Sequence, residues 1–371
     1  MSQLNINTIR DASGGNNAVL YGVAAPSNSM GFRNRIINGD MRIDQRNNGA
    51  ATANTINGFT LDRWAVNQSV TGKLIAQQSS SVAPGFSNSL SVTSQSAYNI
   101  LSSDYYAITQ PIEGFNFADM GWGTANAQTV TLSFRVYSSL AGTFGGSLRN
   151  GADNRGYPFS YTISAANTWA TILITIPGDT TGTWIGAANG KALTVNFGLG
   201  VGSTYSGTPG AWAAGNLLSA TGATSVVGTS GATFYITGVQ LEAGTVASPF
   251  ERRDYGRELQ MCQRYCMVYS TAVDGFVRAF GFSLSSTSGV AQFYFPVTTR
   301  VPPSGATVSA ASTFTLYTGA SGISPSSITF DNASTKTANV TATVSGQIAY
   351  GGIILAMQNA NNKIEFTGME L

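Results

Sequence analysis

The chain has 371 residues, of which 10% are charged, with 43 glycines and a net charge of +2. That length suits two or three domains, each able to bury its own core, and the 11% content of Phe, Trp and Tyr argues against disorder, which goes with high charge and few aromatics. Scattered basic residues exclude the dense cationic footprint of a nucleic-acid binder, and without a run of 18 apolar residues no membrane insertion is expected.

Residues 1–35 mix Asn, Ser, Gly and short apolar groups without a sustained period. They are too few for a core and are expected to lie as an extended arm against a neighbouring chain, with a disordered leader as the alternative. The opening Met1-Ser2-Gln3-Leu4-Asn5 lacks the charged head and apolar stretch of a secretion signal. An extracellular role would therefore follow release by lysis.

From residue 36 to 250 short β-prone runs alternate with Gly-rich turns. Thr129–Tyr137, Ala170–Ile176, Leu193–Leu199 and Thr233–Leu241 are the clearest. In the first, Val130, Leu132, Phe134 and Val136 share one face, the period of a half-buried antiparallel strand. The pattern predicts a jelly-roll β-sandwich. Over 251–270 the spacing of Tyr255, Leu259, Cys262, Cys266 and Tyr269 changes to that of a helix stripe, with Asp254 as N-cap. Residues 271–371 return to about seven strands, the density of a second β-sandwich. The fold class is thus all-β with one short connecting helix.

Catalytic arrangements are scarce in such a chain. It contains no histidine, which removes Ser-His-Asp and Cys-His centres. The carboxylates Asp40, Asp44, Asp62, Glu113, Asp119, Asp153 and Asp179 show no spacing that pairs them for glycoside hydrolysis. Cys262 and Cys266 suit core packing better than a zinc site. The expectation is a protein that is not an enzyme.

Several local patterns then occur in order. Asn38-Gly39-Asp40-Met41-Arg42-Ile43-Asp44-Gln45-Arg46 is followed by Asp62-Arg63-Trp64, Thr168-Trp169 and Pro177-Gly178-Asp179-Thr180-Thr181-Gly182-Thr183-Trp184. Gly238-Val239-Gln240-Leu241-Glu242-Ala243-Gly244, Ser248-Pro249-Phe250-Glu251 and Leu259-Gln260-Met261-Cys262-Gln263-Arg264-Tyr265 complete the series. Over roughly residues 36–270 this series resembles a family of bacteriophage tail-fibre and appendage proteins.

The resemblance implies a jelly roll similar to carbohydrate-binding modules. It also implies a homotrimer whose residues 1–35 contact tail or baseplate proteins, with the C-terminal β-sandwich as a receptor-binding tip and the virion tail as location. In some such modules an opening Asn-Gly-Asp helps form a structural calcium site. Asn38-Gly39-Asp40 matches, whereas Thr237-Gly238 stands where acidic residues often do. Asp40 and Glu242 are the candidate ligands, with turn and capping roles as the alternative. Sugar binding would use exposed aromatic faces. Trp122, Trp184 and Trp212 in small-residue turns, and Tyr205, are the candidates, against a reading in which they fold back over the core. Trp64 and Trp169 adjoin strands and are expected in the core. The expected function is a structural tail component that presents a host-recognition surface. The alternatives are a lectin-like adhesin that binds host cell-surface glycan directly and a polysaccharide depolymerase.

Overall fold

The structure is a computed structural model that describes residues 32–53, 58–357, 359 and 362–371, with the strand pair Val19–Leu20 and Val23–Ala24. Most of the arm expected over residues 1–35 lies outside the described residues. The rest is almost entirely β.

The first sandwich has two antiparallel sheets. One runs, in spatial order, Ala213–Ala214, Arg155–Ile163, Gly142–Asn150, Lys191–Val201, Tyr105–Glu113, Trp64–Gln68 and Gly58–Leu61. The other runs Ala170–Ile176, Val130–Ser138, Thr233–Ala243, Ser89–Ser94, Leu74–Ser79 and Thr52–Ala53. Three pairs of neighbours are consecutive hairpins, while the others, such as Tyr105–Glu113 beside Lys191–Val201 and Ser89–Ser94 beside Thr233–Ala243, are distant in sequence, as in a jelly roll. The predicted alternation is the cause of the packing. Val130, Leu132, Phe134 and Val136 from one sheet meet Tyr106, Ile108, Phe144, Leu148, Val195 and Phe197 from the other in one buried core. Trp64 lies fully buried among them, as expected. Trp169 instead packs on the outer face of the second sheet, against Tyr137 and Tyr235.

The helix is shorter than its stripe suggested. Asp254 caps it by accepting from Arg257 N (2.9 Å), and it runs Tyr255–Gln263. Cys266 still lies in the buried interior, but Tyr269 belongs to the strand Met267–Ser270, which pairs with Lys363–Thr367. Spacing of three and four residues fits both states over a few positions. The β-prone run Met267-Val268-Tyr269 follows the available ladder partner rather than the helix. A second helical turn, Thr271–Asp274, precedes the remaining strands.

The second sandwich packs a three-stranded sheet on one face of a seven-stranded sheet. The small sheet is Met267–Ser270, Lys363–Thr367 and Gly305–Val308. The larger runs Ser321–Ile323, Phe314–Thr318, Gly352–Met357, Val277–Ser285, Ser288–Tyr294, Thr337–Thr343 and Ser327–Ala333. Phe293, Phe314, Leu316, Val340, Leu355, Ile364 and Phe366 form its core.

Candidate functional site

Apart from Thr168-Trp169 and Pro177–Trp184, the ordered motifs converge at one end of the jelly roll, where the helix and the second sandwich meet it. Asn38 takes a left-handed φ of 57° and ties its turn together. Its Nδ2 donates to Ile43 O (2.8 Å) and Asp62 O (3.0 Å), and its Oδ1 accepts from Ile43 N (2.9 Å). Trp64 Nε1 donates to Asn38 O (2.9 Å), joining the first two motifs. Glu258 of the helix accepts from Asn38 N and pairs with Arg253.

The same end is cross-linked to the second sandwich by charge. Arg46 pairs with Glu365 (3.0 Å) and Glu370 (2.9 Å), and Arg63 pairs with Glu370 while lying 3.7 Å over the Tyr265 ring. Glu113 accepts from Arg264 through both oxygens (2.6 and 2.9 Å) and from Tyr265 Oη. Burial lifts the Asp62 carboxyl to about 6, against the pull of Arg46. Burial likewise pushes both cysteine thiols up. These motif residues build the junction between the helix and the two sandwiches.

Asp40 pairs with Arg42 at 2.5 Å. Glu242 accepts from Gln240 Nε2 (2.8 Å), Ser248 N (2.8 Å) and Ser248 Oγ (2.5 Å). Calcium takes six or more oxygens. Among the described residues no three His, Cys, Asp or Glu side chains are grouped. This donor set, engaged by a guanidinium and by amide and hydroxyl donors, does not fit the ion.

Trp122, Trp184 and Trp212 come together in one aromatic cluster. Their rings meet edge to face at 4.9, 5.1 and 5.5 Å, and Phe117 and Tyr157 extend the group. Each indole N–H has a partner: Gln128 O (2.7 Å), Asp179 Oδ2 (3.1 Å) and Pro177 O (2.8 Å) respectively. Trp122 is buried and the other two are half-buried. Burial works against ionised Asp179, but bonds from Arg155, Thr181 N and Trp184 hold its carboxyl below the usual carboxylate range. The rings chiefly cover one another, and the Pro177–Trp184 motif is the clamp that positions them.

Tyr205 lies elsewhere, in a cleft of about 400 Å³ on the outer face of the seven-stranded jelly-roll sheet. Alternation aims Ala65, Asn67, Thr109, Pro111, Arg149 and Thr194 outward, while their neighbours fill the core. Much of the outer face is covered by the segment 202–224. Close approach there depends on small residues: a Cβ at Gly145 or Gly198 would lie 2.5 Å from Ser219 Oγ. Gly210 N donates to Pro158 O (3.0 Å), Thr224 N to Thr143 O (2.7 Å) and Ser147 Oγ to Leu217 O (2.7 Å), which pins the segment to the sheet through its backbone. The uncovered remainder of the face is the cleft floor. Tyr205 and Asn216 wall one side, and Phe59 and Leu371 also line the cleft.

Tyr105 and Tyr205 meet edge to face at 5.5 Å. Arg149 donates to Asn216 Oδ1 and pairs with Asp153 at 3.1 Å, and Lys191 Nζ holds both oxygens of Asp153 at 2.8 Å. Burial lowers the Arg149 guanidinium below its usual range, with Asp153 opposing. Asn67 Nδ2 donates to Thr109 Oγ1 (3.0 Å), yet buried Asn67 Oδ1 and Thr194 Oγ1 have no hydrogen-bond partner. A volume of this order suits a small ligand. Sequence reasoning singled out only Tyr205 of this set. The rest look like ordinary outward-facing polar residues on strands.

No protein-family model matches the chain, and no curated protein matches it. Several solved structures do. A putative sugar binding protein from Bacteroides thetaiotaomicron is 10% identical, with 57% of this chain and 100% of that one covered and a TM-score of 0.36. TmCBM61 in complex with β-1,4-galactotriose is 10% identical over 57% and 99%, with a TM-score of 0.30. A family 11 carbohydrate-binding module of a Clostridium thermocellum cellulase is 13% identical over 52% and 99%, with a TM-score of 0.27.

Proposed function

We propose that this chain is a non-catalytic glycan-binding protein that presents its sheet-face cleft to a host surface as part of a bacteriophage tail appendage. The observation that carries the binding reading is a pair of tyrosine rings beside polar side chains in one cleft of the sheet face. Tyr105 and Tyr205 offer apolar ring surface to a sugar face, while Asn67, Thr109 and Thr194 line the cleft with polar groups. Arg149 and Asn216 add polar groups at the same wall. The non-catalytic reading rests on the carboxylates. Asp153 is the acidic residue among those lining the cleft, and it is neutralised by Lys191 and Arg149, whereas glycoside hydrolysis uses a pair. The tail setting is supported by the ordered motifs and by the weakly charged, aromatic-rich composition.

The test is binding of the full chain to host-surface polysaccharide fragments by calorimetry, with variants. Tyr205→Ala and Asn67→Ala should each weaken affinity about tenfold or more, equivalent to about 1.4 kcal/mol. Trp169→Ala, on the opposite sheet, should leave affinity unchanged. Equal binding by all four chains sinks the cleft assignment, and release of oligosaccharide from the same fragments sinks the non-catalytic one. Antibodies to the chain should label the tails of intact particles. Labelling confined to the host cell would remove the appendage setting.

A further inference from the structure

Charge in the sheet-face cleft is unbalanced. Among the described residues, three charged side chains line it: Arg149, Asp153 and Lys191. Lys191 Nζ holds both oxygens of Asp153 at 2.8 Å, and Arg149 Nε stands 3.1 Å from one of the same oxygens. A single carboxylate therefore serves two cations, and one positive charge is left over.

The described surroundings do not offset it. Segment 202–224, which supplies one wall, contains no Asp, Glu, Lys or Arg. It meets Arg149 through the neutral amide of Asn216, whose Oδ1 accepts from the guanidinium. Across the ladder from Arg149 come Thr194 and then Pro111, both uncharged. Glu113 is in register with Lys191, but its carboxylate is turned to Arg264 and Tyr265. Arg149 is only 9% exposed. Burial holds its guanidinium below the usual range, opposed by Asp153 and by the nearby Tyr105 phenol, so the cationic end and the tyrosine end belong to one site. A buried cation short of counter-charge is costly to keep, and an anion arriving from solvent would offset that cost. The planar fork of a guanidinium matches a carboxylate or a phosphate.

We propose that the cleft takes an acidic sugar, its ring against Tyr105 and Tyr205 and its anionic substituent, a ring carboxylate or an ester phosphate, against Arg149 and Lys191. This rests on the cleft being the glycan site and adds the charge of the glycan. Lys191 and Asp153 set the strength of the preference: Lys191 occupies the carboxylate that would otherwise neutralise Arg149.

Calorimetry of the full chain with host-surface polysaccharide fragments reads this as a ratio. The numerator is affinity for the native fragment. The denominator is affinity for the same fragment made neutral, by reduction of its carboxyls to alcohols or by removal of its phosphate with hydrofluoric acid. The wild-type ratio should be about ten or more, as expected for a bond to a charged group, and the treatment that weakens binding tells carboxylate from phosphate. Arg149→Gln and Lys191→Gln should each bring the ratio towards one. Asp153→Asn should raise it several-fold by leaving both cations unopposed, and Asn accepts the left-handed φ of 56° at that position. A misfolded chain does not gain affinity, so the Asp153 variant decides the matter even if Arg149→Gln fails to fold. A wild-type ratio near one, with Tyr205→Ala weakening both fragments, overturns the acidic-sugar assignment while the cleft stands as the glycan site. So does tight binding of a host fragment that carries neither group, or a ratio that Asp153→Asn lowers or leaves unchanged. Absent binding, or binding that Tyr205→Ala leaves intact, removes the cleft as the glycan site and this inference with it.

Discussion

Replacing Glu113 by Gln tests whether the charged junction holds the two sandwiches together. Glu113 is 1% exposed, and its carboxylate accepts from Arg264 twice and from Tyr265 once. Charge-assisted bonds contribute about 1.5–3 kcal/mol each, and cutting one partner from a buried pair costs about 3–5 kcal/mol. Gln keeps one acceptor but turns an amide N–H₂ toward Arg264. Because the Arg264 side chain is 30% exposed, water recovers part of the loss, and we expect about 2–3 kcal/mol of destabilisation. Urea denaturation of wild type, Glu113→Gln, Arg264→Met and the double variant gives the coupling, expected above about 1 kcal/mol for residues in contact. Calorimetry should also show unfolding split into two transitions as the sandwiches uncouple. A single variant within about 0.5 kcal/mol of wild type, or a coupling near zero, would refute the reasoning.

Other expectations follow from burial and close approach. Gly39→Ala places a Cβ 2.2 Å from Val239 O, so urea titration should show a loss of about 1–3 kcal/mol, and an unchanged midpoint would contradict the contact. Burial sets the folded Asp62 carboxyl at about 6, above its ordinary value of 3.8. The folded chain therefore holds the extra proton between those values, and its stability falls as pH rises through that window. Relative to Asp62→Asn the wild type should lose about 2.4 kcal/mol from pH 4 to 7, measurable as diverging denaturation midpoints; parallel curves would place the carboxyl's pKa at its usual value. Cys262 and Cys266 are buried with raised thiol pKa values. Thiol reagents should label neither in the native chain and both in urea; native labelling would contradict that burial.

The architecture was legible because period-two alternation is a local cause. Val130 to Val136 face the core for the reason their spacing announced. Helix and strand signals overlapped at Tyr269, where only the ladder with Ile364 decides the outcome. The cleft was hidden for a different reason. Asn67, Thr109, Arg149 and Thr194 come from four strands and look like any solvent-facing polar position, and what makes them a site is a distant segment folding back beside them. The tryptophans were ambiguous in the sequence, because small neighbours that leave room for a ligand equally let three indoles close on each other, as they do here. Most residues of the ordered motifs are engaged in the junction and in the clamp around the indoles, so their pattern reports architecture rather than a ligand.

The segment over the cleft has a consequence for how such a surface can change. Residues 202–224 are fastened to the sheet through main-chain groups, as in Gly202 N to Asp104 O, Gly210 N to Pro158 O and Thr224 N to Thr143 O. Backbone fastening is indifferent to side-chain identity, provided the glycines beneath are kept. Substitutions at Tyr205 or Asn216 can therefore rewrite one wall of the cleft while the sandwich below stays as it is. The fold separates the part that must be inherited unchanged from the part that can follow a shifting target.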